Sequence, residues 1–132
     1  MAKVGSYLYL SQKDAIRAGQ MFELGDYTAC GRFCEQSVEK SLKAFIELKG
    51  NSSDIPLMSL HKPRRLYERC CGLGLCTLDN NVSLVMSKLE DYYYDTNYPG
   101  DAYFELTKEN AKEALDIMKL VNGLVGCAIT SK

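Results

Sequence analysis

The sequence predicts an all-α protein, an antiparallel up-and-down bundle of four to five helices in a single domain over residues 1–132. Apolar residues recur with the 3.6-residue period of an amphipathic helix in successive stretches, and the strict alternation of a half-buried strand is missing. The chain contains three prolines, and its glycines fall where such helices would stop. At 132 residues it is long enough for one hydrophobic core.

The first helix is expected from Tyr7 or Ser11 to Leu24, with Leu8, Ser11, Ala15, Ala18 and Phe22 facing inward. Ser11 with Asp14 three residues on resembles a cap, which leaves the start open. Gly25 suits a left-handed residue just past the helix end. Asp26 is a good N-cap for the second helix, Tyr27 to Leu48, and Gly50 a good stop. Cys30, Phe33, Cys34, Ser37, Val38, Leu42 and Phe45 give this helix a broad apolar stripe. Glu39 and Lys43 form a favourable i,i+4 pair on its wetter face.

Asn51 to Leu57 reads as loop. A third helix is expected from Leu60 to Leu73, capped by Ser59, with Pro63 in its first turn. Leu66, Cys70 and Leu73 face inward. A fourth follows Asp79 as far as Tyr94, on the stripe Val82, Val85, Met86 and Leu89. Pro99-Gly100 breaks the chain. A fifth follows Thr107 to Cys127, on Ala111, Ala114, Leu115, Met118, Val121 and Val125.

Sixteen Lys and Arg against seventeen Asp and Glu leave a net charge of −1, so any binding of nucleic acid or anionic membrane needs a local patch. No apolar run nears the roughly 20 residues of a membrane helix. The start lacks the features of a signal peptide, and the expected location is the cytoplasm. The six cysteines, Cys30, Cys34, Cys70, Cys71, Cys76 and Cys127, include no C-x-x-C pair and are accompanied by one histidine. They read as reduced core thiols, with no metal site and no cofactor expected.

The carboxylates Glu35, Glu39, Glu90 and Asp91 read as solvated helix faces. Two regions stand out. Ser59-Leu60-His61-Lys62-Pro63-Arg64-Arg65 places cations at the start of a helix, where they oppose the helix dipole and so do not serve helix stability. His61, Lys62, Arg64 and Arg65 are therefore candidates for contact with a nucleotide or RNA phosphate. Tyr92 to Phe104 packs in more aromatic side chains than a narrow bundle can bury, since consecutive helical residues fan by about 100°. Tyr93, Tyr94, Tyr98, Tyr103 and Phe104 are candidates for an interface.

The order of these segments resembles the HEPN domain family. Asp14, Gly25-Asp26-Tyr27 and Glu39-Lys40-Ser41-Leu42-Lys43-Ala44 are similar to the marks of its first two helices. His61 matches the histidine at the head of its third helix. Tyr93-Tyr94-Asp95-Thr96-Asn97-Tyr98-Pro99 is similar to a later Tyr-Pro element, and Ala111 to Met118 to the Ala-rich final helix. The resemblance implies a helical bundle, often dimeric, found beside minimal nucleotidyltransferases in toxin–antitoxin or defence settings. Many members are metal-independent RNases with an Arg-x(4–6)-His motif. Here no arginine stands at that distance before His61; Arg64, Arg65 and Arg69 follow it instead. Asn97 stands where the Tyr-Pro element usually has arginine.

The expectation is a single HEPN-like domain without catalysis, forming a homodimer or a complex with a nucleotidyltransferase-type protein. The alternatives are an RNase built on a non-standard set such as His61, Arg64 and Tyr98, and a helical scaffold with no nucleotide role.

Overall fold

The structure is a computed structural model describing residues 3–97, 99–100 and 103–130. Among these residues the chain forms α1 (Tyr7–Glu23), α2 (Tyr27–Lys49), a 3-10 helix (Ser52–Ser59), α3 (Pro63–Gly72), α4 (Asn80–Asn97) and α5 (Lys108–Thr130), with no strand. The helical bundle expected from the periodicity is the fold observed.

Ser6 sets the start of α1, its side chain accepting from the Tyr9 amide at 3.2 Å. Ser11 and Asp14 are therefore not a cap. Both are buried on the inner face: Ser11 Oγ donates to the Ser37 carbonyl at 2.7 Å, and Asp14 pairs with Arg17 and Lys40. At the far end Gly25 takes a φ of +80°. The Asp26 amide reaches Met21 O and the Gly25 amide reaches Phe22 O, the two bonds of a Schellman turn. Asp26 then caps α2 by accepting from the Ala29 amide at 3.1 Å.

α2 is the axis of the bundle, packing against α1, α3, α4 and α5. Cys30, Cys34, Val38 and Leu42 are fully buried on it. So, nearly, are residues read from sequence as solvated: Glu35 at 0 % exposure, Glu39 at 5 % and Lys43 at 5 %. The solvated-face reading of Glu35 and Glu39, and the wetter face assigned to Glu39 and Lys43, are both corrected. A helix with four neighbours keeps almost no face for water.

The stretch read as loop holds the 3-10 helix. Asn51 and Asp54 form a reciprocal capping box at its start, and Arg69 of α3 clamps Asp54 through two bonds of 2.7 and 3.1 Å. Ser59 belongs to this element and not to the cap of α3, which begins at Pro63 with no side-chain cap. Asp79 caps α4 through bonds from the Asn81 and Val82 amides. Thr107 and Asn110 cap α5 reciprocally at 3.1 Å. Helices α4 and α5 run three residues beyond their expected ends.

Three cysteines, Cys30, Cys34 and Cys70, are buried as the core reading expects; Cys71 and Cys76 are half-buried, Cys127 is exposed, and none of the six is in a disulfide.

Ser37 and Ser41, one turn apart on α2, are both fully buried. Ser37 Oγ donates to Ser11 O at 2.8 Å and accepts from Asn122 Nδ2 at 2.8 Å, tying α1, α2 and α5 together. Ser41 Oγ has no partner. Ser37→Ala is expected to cost about 1–2 kcal/mol, while Ser41→Ala is expected to leave stability unchanged or raise it. Helix propensity cancels between the two, so urea denaturation midpoints measured side by side decide the point.

Candidate functional site

His61 lies between the 3-10 helix and α3, beside the middle of α2. Its Nδ1 stands 3.0 Å from Glu39 Oε1 and 3.2 Å from Oε2. An ionised carboxylate only accepts, so the imidazole donates through Nδ1–H. That fixes the tautomer of the neutral ring and leaves Nε2 as the other ring position for chemistry. The ring is about half exposed. Tyr93 of α4 stacks on it with centroids 4.8 Å apart and planes 19° from parallel. Tyr94 meets Tyr93 edge-on at 5.1 Å, and Lys62 Nζ stands 5.2 Å from the centroid of the Tyr94 ring. The result is an aromatic ledge, Tyr94–Tyr93–His61, with a cation at one end and a buried carboxylate behind.

The same carboxylate accepts from Lys43 Nζ at 2.7 Å. Glu39 thus joins a buried ammonium to a surface imidazole. One turn earlier, Glu35 is fully buried and neither of its oxygens has a partner. Its carboxyl is pushed up to about 10, first by burial and then by the charge of Glu39. Glu35 therefore sits in the fold as a neutral acid.

Of the predicted anion contacts, Lys62 and His61 meet on the ledge. Arg65 is exposed and no ion pair engages it among the described residues. Arg64 is held by α4 and by its own helix. Its amide donates to Glu90 Oε1 at 3.1 Å, and its guanidinium donates to Glu68 at 3.3 Å and Ser87 at 3.1 Å. Glu90 thereby occupies the N-terminus of α3, the position proposed for a phosphate.

The aromatic segment divides. Tyr92 is buried against Phe104 at 6.0 Å, Tyr93 is half-buried, and Tyr94 and Tyr103 are 39 % and 49 % exposed. Tyr98 lies outside the described residues. The largest exposed apolar side chains elsewhere on the helices include Ile16 of α1 and Leu120 of α5. Sequence reasoning missed Glu35 and Glu39 as site residues. The available signal was their spacing, Glu35, Glu39 and Lys43 at four-residue steps on a helix whose other faces are also apolar.

Among the described residues no three His, Cys, Asp or Glu side chains converge as a metal site would require. No helix among them is long and apolar enough to cross a membrane.

The family model of the HEPN domain matches residues 6–127. The crystal structure of an archaeal HEPN homologue superposes with a TM-score of 0.69 at 18 % identity, covering 98 % of this chain and 99 % of the other. No match was found among the curated proteins.

Two predictions follow from the carboxylates. Glu39→Ala leaves Lys43 charged and buried, and is expected to cost about 3 kcal/mol; Glu39→Ala/Lys43→Met removes the stranded charge and should recover most of that in chemical denaturation. For Glu35, the unfolded chain loses its proton near the ordinary value of 4.5 while the folded chain keeps it to about 10. The native state binds more protons across that window, so this group's contribution to stability falls as pH rises, by at most about 1.4 kcal/mol per pH unit. Glu35→Gln removes that fall. Its stability relative to wild type should climb with pH between those limits, and a difference independent of pH would show Glu35 to be ionised.

Proposed function

The chain belongs to the HEPN domain family, and we propose that it is a non-catalytic member that binds a nucleotidyltransferase-type partner protein and takes a nucleotide or RNA phosphate on the Lys62–His61–Tyr93–Tyr94 ledge. One observation carries this reading: an imidazole oriented by Glu39 lies in one surface with two tyrosine rings and the Lys62 ammonium. A phosphate takes charge-assisted bonds from lysine and protonated histidine. A base or ribose takes contact with ring faces and edges, which is tolerant of sequence. Arg65 adds a cation close by in the chain. Tyr94 and Tyr103 offer the half-wet rings favoured at protein contacts.

Cleavage of RNA without metal needs a base for the 2′-hydroxyl, an acid for the leaving oxygen and a cation for the charge that builds on phosphorus. His61 supplies one proton-transfer group. Glu39 is already bonded to Lys43 and His61, and Arg64 to Glu68 and Ser87. The Arg-x(4–6)-His arrangement of the family's RNases is absent from the sequence. A second reading, an RNase with a non-standard set, draws on the Glu39–His61 pair, because a carboxylate-oriented imidazole suits general-base work.

Fluorescence titration with ATP and with a short single-stranded RNA tests the first reading. Binding should weaken as salt rises. Lys62→Ala and Tyr94→Ala should each raise Kd by roughly threefold to tenfold. Absence of binding by the wild type to either probe would end the ligand half of the proposal. Incubating labelled RNA with chelator present tests the second: cleavage that disappears in His61→Ala would replace the first reading by an RNase. For the partner, co-expression with a minimal nucleotidyltransferase should give a complex by light scattering. Tyr94→Ala and Tyr103→Ala should weaken that complex.

A further inference from the structure

The turn that ends α3 brings two thiols together at the opposite end of this short helix from the ledge. Gly74 takes a φ of +99°. The Leu75 amide bonds Cys70 O at 3.0 Å and the Gly74 amide bonds Cys71 O at 3.0 Å. These are the two bonds of a Schellman turn, which reverses the chain over the last turn of the helix. The residue that follows, Cys76, is thereby returned to Cys71, and their sulfurs stand 3.6 Å apart.

The surroundings hold this pair in place while leaving it room to close. The Tyr67 hydroxyl lies 3.9 Å from Cys76 Sγ and accepts from the Asp79 amide at 3.2 Å, pinning the segment that leads into α4. Gly72 and Gly74 have open space where a side chain would stand. A disulfide needs its sulfurs about 2.05 Å apart, so closure asks for a movement of about 1.5 Å. Both thiols are half-buried and within reach of a small reagent, whereas Cys30, Cys34 and Cys70 are 0 % exposed.

We propose that Cys71 and Cys76 form a redox-modification site, closing an intramolecular disulfide by exchange with a low-molecular-weight disulfide. Cys76 as thiolate attacks one sulfur of the reagent, breaks its S–S bond and releases the other half as thiolate, which takes up a proton. Cys71 gives its proton to water and attacks Cys76 Sγ, forming the protein disulfide and releasing the second half. Two protein thiols are oxidised and one disulfide is reduced to two thiols. The order follows from the surroundings. Cys71 is pushed up to about 11, first by burial and then by its contact with Cys76. Capping Cys76 removes that second cause and eases the deprotonation of Cys71 in the resolving step, against the burial that remains.

The test is incubation of the folded protein with oxidised glutathione, alkylation of remaining thiols, and peptide mapping by mass spectrometry. The expected result is loss of two alkylatable thiols, a Cys71–Cys76 link lighter by two hydrogens, and full recovery with dithiothreitol. Cys71→Ser, with its fold checked by circular dichroism, should stop at a glutathione adduct on Cys76. The proposal is overturned if the wild type stops at that adduct, if both thiols stay alkylatable, or if the link joins another pair. The wild-type map decides the question even where the variant does not fold.

Discussion

Everything in this fold follows from the burial of α2. Along the buried face of this 23-residue helix, packed against four others, a charge has no access to water. Each ionisable residue buried on it must be paired or held neutral where it stands, because an uncompensated buried ion costs several kcal/mol in a protein whose total stability is of order 5–15 kcal/mol. Three solutions appear along the helix. Lys40 pairs with Asp14 of α1, Lys43 pairs with Glu39, and Glu35 keeps its proton. Glu39 is the point where this internal compensation reaches the surface, since its carboxylate also orients His61. The geometry of the candidate site is therefore set by the core and not by the loop that carries the histidine.

The helices were legible because their start and stop signals were local. Gly25-Asp26 ends one helix and caps the next within two residues, and Asp79 and Thr107 cap the following helices as their side chains suggest. Ser11 misled because its hydroxyl and the carboxylate of Asp14 have the chemistry of a cap. Ser11 bonds instead to Ser37 of α2, and Asp14 to Lys40 of α2 and Arg17 of its own helix. The 3-10 helix was invisible to a search for a 3.6-residue period, and its anchor, the Asp54–Arg69 clamp, joins residues fifteen apart. Periodicity gives a residue's angle around the helix axis but not the number of neighbours there. That is why Glu35 and Glu39 read as solvated. The partner of His61 lies 22 residues earlier on a different helix, beyond any local pattern.

The tyrosine run was legible for the opposite reason. Three consecutive helical residues must point in three directions whatever surrounds them. Tyr92 goes to the core, Tyr93 to the imidazole and Tyr94 outward, as that fan requires. What the fan could not say is that Tyr93 would be spent on His61, which turns part of an expected protein-contact patch into a wall of the aromatic ledge. The interface reading now rests chiefly on Tyr94 and Tyr103.

Helix α3 shows how these constraints combine. At ten residues it is too short to be stable by itself, and it depends on contacts at both ends. Its N-terminus is closed by Glu90, whose carboxylate takes the amide that a bound phosphate would otherwise want. Its C-terminus is closed by the turn at Gly74. Because Glu90 satisfies the helix end from within the protein, an incoming phosphate gains little from the dipole there. It is left to side chains that the fold has not already paired. Of the four cationic or imidazole residues at the head of α3, Arg64 is spent on Glu68 and Ser87, Lys62 and Arg65 have no ion pair among the described residues, and His61, bonded to Glu39 through Nδ1, keeps only Nε2 for a ligand. A ligand held by Lys62 and His61 would rest on the Tyr93 and Tyr94 rings while Glu39 keeps the imidazole in register with α2.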